Sequence, residues 1–100
     1  MLGMVDPDCF LGGRKKPDAK KAYAAIKKKI ADTLGISVES AGHLIKRIVD
    51  EHMGITIYKE IALTGLDPRE FIMFACGGGG PTHACGFAEA AKIPLVATFP

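Results

Sequence analysis

Apolar residues recur at helical spacing over residues 19–34, where Tyr23, Ile26, Ile30 and Leu34 share one face. The lysines of this segment occupy the other faces. Asp18 is a favourable N-cap residue, because a short acidic side chain accepts hydrogen bonds from the free backbone N–H groups of the first helical turn. Gly35 follows and suits a left-handed C-cap. The pattern predicts a first helix over these residues.

A second, longer helix is predicted between an N-cap at Ser37 and a terminating glycine at Gly65. Gly54 interrupts the pattern, so we expect it to bend the helix or to let another backbone approach closely. Residues 55–58 favour a strand in isolation, which leaves a break at this point as an alternative. The apolar stripe comprises Val38, Ala41, Leu44, Ile45, Ile48, Val49, Met53, Ile57 and Ile61.

A short apolar run over residues 71–76 ends in four glycines and a proline. Such a run predicts a strand buried on both faces, as in a parallel sheet. Pro81 suits the first turn of a helix, which we expect over about 81–92, with a small-residue face of Ala84, Phe87, Ala88 and Ala91. Residues 95–98 predict a second strand. The sequence therefore predicts an α/β fold, with two helices over 18–64 and a parallel βαβ unit over 70–98.

The glycine turn, Gly77–Gly80, combines chain flexibility with the start of a helix. Without a Cβ, another group can come close to the backbone. A helix N-terminus presents free N–H groups and a partial positive charge, which favour a phosphate or a carboxylate. The alternative is tight strand-to-helix packing with no ligand. We expect valine at Gly78 or Gly79 to disturb folding as well as any such site.

The 100 residues are expected to form one partial domain with an irregular arm over 1–17. Cys9, Phe10 and Leu11 are interpreted as an apolar anchor of this arm against the body, and a loose arm is the alternative. Two parallel strands do not make a stable sheet alone. The chain is therefore expected to be a piece of a larger protein, or to self-associate as a homo-oligomer through its sheet edges.

The net charge of +2 gives no argument for a polyanionic partner. Eight lysines and arginines crowd residues 14–29, but no aromatic residue accompanies them to stack on bases, so a solvated helix face is favoured over a nucleic-acid site. No apolar run reaches the roughly 20 residues that span a bilayer. A signal peptide is not indicated either. We expect a cytoplasmic protein with neither a nucleic-acid nor a membrane partner.

Candidate metal ligands are few. Cys76, His83 and Cys85 lie close in sequence, but their spacing fits no compact zinc site, so no metal is expected. The odd count of three cysteines argues against a disulfide framework. His83 is interpreted as a capping or solvent-facing group, and a general acid or base is the alternative if it reaches a cleft. His43 and His52 are interpreted as surface residues.

Several motifs resemble those of the hydantoinase A family, which includes N-methylhydantoinase and 5-oxoprolinase subunits and acetone and acetophenone carboxylase β subunits. Residues 6–14 (DPDCFLGGR) resemble its LDPDNFLGGR, and residues 67–71 (DPREF) resemble its YDPRDF. Residues 77–84 (GGGGPTHA) resemble its FGGAGPLHA, and residues 93–94 its GIP. The order and spacing agree along the whole chain. Cys9, where the family has asparagine, and Gly79, where it has alanine, depart from the pattern. A hydantoin-cleaving branch and a carboxylating branch both stay open.

The resemblance implies an internal segment of a much longer actin-like ATPase with a ribonuclease H-like fold. The parent would be an ATP-dependent cyclic-amide hydrolase or carboxylase that uses ATP with Mg²⁺, and its remainder or other subunits would be the partners. In this superfamily a strand, glycines and a helix form the adenosine-side wall of the ATP site. The resemblance thereby assigns nucleotide contacts to Gly77, Gly78, Gly79, Gly80, Thr82 and His83.

An aspartate-glycine motif, which the family uses for phosphate and metal, is absent from this sequence. We therefore expect the chain alone to bind no nucleotide tightly and to be inactive. Whether it is an enzyme in its own right is left open. The alternative function is a non-catalytic α/β module that binds a small ligand or self-associates.

Overall fold

The computed structural model describes residues 2–99. Met1, at the start of the predicted arm, and Pro100, at the chain end, lie outside the described residues. The chain divides into two compact units, Met1–Ile45 and Lys46–Pro100. One helix, α3, begins in the first unit and continues into the second. The α/β class predicted from the sequence is confirmed, whereas the single partial domain stays a prediction.

The first unit consists of an irregular segment and a three-part helix. This helix comprises α1 (Ala19–Ile26), a π-helical turn (Lys27–Ala31) and α2 (Asp32–Leu34). Asp18 caps it as predicted and accepts from the Lys21 N–H at 2.9 Å. The helix ends at Gly35, whose φ of 65° is left-handed.

A small core holds the first unit together. Ala31 and Ala41 are buried with Val38, and Ile26 and Ile30 pack against them. Two of the four residues of the predicted apolar face, Ile26 and Ile30, therefore pack inward as expected. The other two, Tyr23 and Leu34, are exposed. The expected apolar anchor of the arm is wrong, because Cys9, Phe10 and Leu11 are all exposed and the arm folds into local turns instead.

Helix α3 (Val38–Leu63) is continuous through Gly54, so the β-prone residues after it do not break the helix. Helical hydrogen bonding already satisfies their backbone, which outweighs local propensity. Ser37 caps the helix and accepts from the Ser40 N–H at 3.1 Å. The predicted stripe is too broad: Ile48, Val49 and Met53 are exposed, and the residues turned inward after residue 46 are Asp50, Gly54, Ile57 and Ile61.

The second unit holds the βαβ arrangement. A 3₁₀ turn (Pro68–Glu70) leads into β1 (Ile72–Ala75), followed by α4 (Gly80–Ala91) and β2 (Leu95–Thr98). The two strands are parallel, with Ile72 paired to Leu95 and Ala75 to Thr98. Helix α4 covers one face of this sheet through the predicted small-residue face of Ala84, Phe87, Ala88 and Ala91, all buried.

The prediction that β1 is buried on both faces is wrong for the described residues. Met73 and Ala75 turn towards α4, but Ile72 and Phe74 are 52% and 62% exposed. Phe74 stacks on Phe99 at a ring-centroid distance of 5.7 Å, which covers it only in part. The apolar run reflects a strand with one covered face and one open apolar face.

A substitution at Gly54 tests the helix packing of the second unit. A Cβ at this position would lie 2.5 Å from the Phe87 carbonyl oxygen and 3.0 Å from the Ala91 nitrogen. We expect Gly54→Ala to lower the free energy of unfolding by about 2 kcal/mol, because overpacking outweighs the gain in helix propensity. Urea unfolding monitored by circular dichroism measures this, with exposed His52→Ala as the control. An increased stability of Gly54→Ala would contradict the prediction.

Candidate functional site

The glycine turn is open to its surroundings. It connects β1 to α4, and Gly77 adopts a left-handed φ of 77°. Gly77, Gly78 and Gly79 are exposed, and a Cβ added to any of them would meet no atom within 4 Å. Gly80 is half-buried, with its nearest neighbour, the Ala75 carbonyl carbon, 3.9 Å from such a Cβ. The turn thus presents bare backbone to open space.

This openness corrects the expectation that valine at Gly78 or Gly79 disturbs folding. Only Gly77 among the three has a φ that a side chain strains, and Gly79 already has right-handed helical angles. The glycines at 78 and 79 are therefore not required by packing within the described residues. Substitutions there can separate a ligand effect from a folding effect.

Thr82 and His83 lie in the first turn of α4 and are half-buried. The Nδ1 atom of His83 lies 2.6 Å from Oδ1 of Asp50. His83 is therefore neither a cap nor a freely solvated group, which corrects its interpretation from the sequence. The His83 side chain is 32% exposed to solvent, so one edge of the ring is accessible.

Asp50 is the buried centre of a three-residue cluster formed with Lys46 and His83. Its side chain is 6% exposed, and Lys46 Nζ donates to Oδ2 while His83 occupies Oδ1. Gly86 makes room for this carboxylate, because a Cβ at that position would overlap it. Both carboxylate oxygens thus have partners, as a buried charge requires.

Two effects act on the pKa of Asp50 in opposite directions. Burial pushes the pKa of Asp50 upwards, but the hydrogen bonds from Lys46 and His83 outweigh burial and leave the pKa below its ordinary value. The carboxylate is therefore ionised near neutral pH. An ionised carboxylate only accepts hydrogen bonds, so His83 Nδ1 must donate to it.

Asp50, Lys46 and Gly86 belong to none of the motifs recognised in the sequence. A signal was present, because Asp50 lies four residues before Gly54 and seven before Ile57, on the face that turns inward. A charged residue at helical spacing from a buried stripe indicates a buried partner. The identity of that partner, 33 residues along the chain, was not encoded in any local pattern.

Other candidate chemistry is sparse in the described part of the chain. No group of three histidine, cysteine or acidic side chains among residues 2–99 is placed to hold a metal ion. Cys76 and Cys85 are exposed thiols. A surface hollow of about 550 Å³ next to the 3₁₀ turn contains Arg69, but this guanidinium is paired with Asp67, whose pKa it lowers to about 2. None of the helices formed by residues 2–99 has the length and apolar character needed to cross a bilayer.

Comparison with known proteins decides the family. The family model described as hydantoinase/oxoprolinase matches residues 1–100. The chain belongs to the hydantoinase/oxoprolinase family. The family assignment made from the sequence motifs is thereby confirmed.

Relatives within the hydantoinase/oxoprolinase family include subunits of carboxylases and of a lactamase. The chain is 43% identical over 100 residues to the acetophenone carboxylase gamma subunit of Aromatoleum aromaticum, covering 100% of this chain and 13% of that protein. It is 39% identical to the acetone carboxylase beta subunit of Xanthobacter autotrophicus, with coverages of 89% and 12%. Identity to caprolactamase subunit alpha of Pseudomonas jessenii is 35%, with coverages of 95% and 14%.

A solved structure also matches this member of the family. It is a nucleotide-free structure of acetone carboxylase, from work on ATP-dependent acetone carboxylation, with a TM-score of 0.83 and 38% identity. The match covers 95% of this chain and 13% of that chain. The chain thus spans 12–14% of the length of the curated relatives described above.

The Asp50 cluster predicts a pH-dependent stability. Because folding lowers the pKa of Asp50, its ionised form stabilises the fold above the ordinary value of about 3.9, and this contribution is lost as pH falls through the lowered value. We expect Asp50→Asn to reduce the free energy of unfolding by about 2 kcal/mol at pH 7, since a charged hydrogen bond is lost.

Urea unfolding of both proteins between pH 7 and pH 2 measures this difference. The gap between wild type and Asp50→Asn should narrow only below about pH 4, where the carboxylate becomes protonated. Exposed Glu51→Gln on the same helix is the control and should show a much smaller gap. A gap that widens towards low pH would contradict the prediction.

Proposed function

We propose that this chain is one segment of an ATP-dependent hydrolase or carboxylase subunit, and that its glycine turn forms the adenosine-side wall of the ATP site. The contacts come from Gly77, Gly78, Gly79 and Gly80, together with Thr82 and His83 in the first turn of α4. The likeness to subunits of acetone and acetophenone carboxylases supports the subunit assignment. The likeness to an acetone carboxylase whose carboxylation is ATP-dependent supports the choice of nucleotide.

The observation that carries the proposal is the open backbone at Gly77–Gly79. A planar ring or a ribose can lie against a peptide plane only where no Cβ intervenes, and none of these glycines has a neighbour within 4 Å of that position. Free N–H groups at the start of α4 add hydrogen-bond donors next to the turn. Within residues 2–99 no side chain packs over this turn, which leaves its backbone accessible to a ligand.

Mg²⁺ has no ligand group of its own in this segment. Residues 2–99 provide no cluster suited to a metal, so we propose that the nucleotide phosphates and other parts of the subunit hold the ion. The rest of the parent protein and its other subunits are the proposed partners, and the cytoplasm is the proposed location. The residues present here bind and orient the adenosine portion.

Adenosine binding by the isolated chain tests the proposed wall. We expect weak binding, with a dissociation constant in the millimolar range, because part of a cleft supplies part of the contacts. Titration followed by ¹H–¹⁵N NMR should shift the backbone amide signals of residues 77–80, 82 and 83, since Pro81 has no N–H. Gly78→Val should abolish these shifts at unchanged fold, since the added side chain occupies the open face.

The controls separate the glycine turn from non-specific binding. Ala22→Val, on exposed α1, should retain the adenosine shifts. Tripolyphosphate tests the lysine-rich helix, and its shifts should map to residues 20–29 rather than to the turn. Adenosine shifts that avoid residues 77–83, or that persist in Gly78→Val, would contradict the proposal.

ATP hydrolysis by the chain alone is expected to be absent. The aspartate-glycine motif for phosphate and metal is missing from the sequence, so nothing activates water at the γ-phosphate. A phosphate-release assay with ATP and Mg²⁺ at saturating concentration measures this. Metal-dependent turnover above the buffer rate, retained through two further purification steps, would contradict it.

Self-association is a second proposal, favoured by the two-stranded sheet. In residues 2–99 each strand has one paired edge and one unpaired edge. Ile72, Phe74 and Leu95 expose apolar side chains on the sheet face that α4 does not cover. We expect light scattering to show dimers or larger species at millimolar concentration, and Phe74→Lys to reduce them. A strict monomer across the whole concentration range would rule this proposal out.

A further inference from the structure

We propose that Asp50 is a positioning residue for His83: it binds Nδ1 of the imidazole and so directs Nε2 to accept a hydrogen bond from the ligand at the glycine turn. This inference rests on the proposed function and adds a named contact to it. The ligand chemistry is an N–H or O–H donor of adenosine. Asp50 lies between Lys46 and His83, and one edge of the imidazole is free.

The first step concerns which ring nitrogen is occupied. Nδ1 lies 2.6 Å from Oδ1 of Asp50, a carboxylate that is almost fully buried. Because an ionised carboxylate can only accept, Nδ1 carries the proton of this hydrogen bond. Which ring nitrogen faces outward is set by the bond that the other nitrogen makes.

The second step concerns the free nitrogen. Among residues 2–99, Nε2 has no protein hydrogen-bond partner, and no buried side-chain nitrogen or oxygen lacks one. Nε2 is therefore accessible to solvent, which agrees with the 32% exposure of the His83 side chain. His83 lies in the first turn of α4, directly after the glycine turn, so the proposed ligand and this nitrogen belong to the same end of the helix.

The third step concerns charge. Lys46 donates to the second oxygen of Asp50, so the negative charge already has a cationic partner. In a neutral imidazole whose Nδ1 donates to Oδ1, the other nitrogen is an acceptor. In the neutral ring, Nε2 is therefore the atom that can accept a hydrogen bond from a ligand.

The fourth step concerns the room made for the cluster. Gly86, one turn after His83 on α4, leaves space that the Asp50 carboxylate fills, and a Cβ there would overlap it. A carboxylate that served only to pair with Lys46 could remain at the surface, as Glu51 does with Arg47. Asp50 is instead buried against α4, where it reaches His83.

The imidazole tautomer tests the positioning role directly. In the ¹⁵N-histidine-labelled chain, long-range ¹H–¹⁵N NMR should show the Nδ1–H form at His83, rather than the Nε2–H form that free histidine prefers. Asp50→Asn should shift the ring towards the Nε2–H form, because the amide is a weaker acceptor. Lys46→Met, which leaves Asp50 in place, should keep Nδ1 protonated. An Nε2–H ring in the wild type would overturn the proposal.

Adenosine titration tests the ligand contact. His83→Asn retains a donor near the Nδ1 position but removes Nε2, so the fold should persist while the adenosine dissociation constant rises roughly threefold to tenfold. Cys85→Ala, an exposed neighbour on α4, is the matched control and should bind like wild type. Equal affinity of His83→Asn and wild type would overturn the contact.

Two analogues identify the donor. Purine riboside lacks the 6-amino group, and 2′,3′-dideoxyadenosine lacks the ribose hydroxyls. Binding of one of them should be insensitive to His83→Asn, which assigns the donor to the missing group. If the wild-type turn signals shift with adenosine but the Nε2 resonance does not move, this inference fails alone. If adenosine leaves the turn signals unmoved, the proposed function and the ligand contact both fail.

Discussion

The close approach of two helices is the constraint on which the second unit depends. Gly54 on α3 and Gly86 on α4 both lack the space for a Cβ: the first faces the backbone of residues 87 and 91, and the second faces the Asp50 carboxylate. Small residues at a crossing let helix backbones come close, which increases dispersion contacts. At the same distance, the short side chain of Asp50 can reach the imidazole of His83.

This crossing connects packing to the candidate site. Helix α4 is fixed on one side by the sheet, through Ala84 and Phe87, and on the other by the residues of α3 after position 46. Its first turn is therefore held in place, although a Cβ added at any of the three glycines before it would meet no atom within 4 Å. A rigid helix start behind an open turn is a suitable arrangement for binding a ligand with little loss of entropy.

The open sheet face shows what a short segment of a long protein looks like. Ile72, Phe74 and Leu95 are exposed although their sequence is as apolar as that of a fully buried strand. The curated relatives are about eight times longer than the matched region, as the coverages of 12–14% show. The apolar pattern of a strand reflects all the surroundings that cover its faces, and not only the residues present in this chain.

The sequence by itself determined the elements, their order and the family. Caps at Asp18, Ser37 and Gly35, the proline that opens α4, and the strand at residues 95–98 are local features, so their chemistry is visible in a few neighbouring letters. The motif spacing sufficed for the family assignment. Only the tertiary structure decided which face of α3 is buried and that Asp50 meets His83. That contact joins residues far apart in sequence, and the closeness of the helices that creates it depends on packing rather than on local propensity.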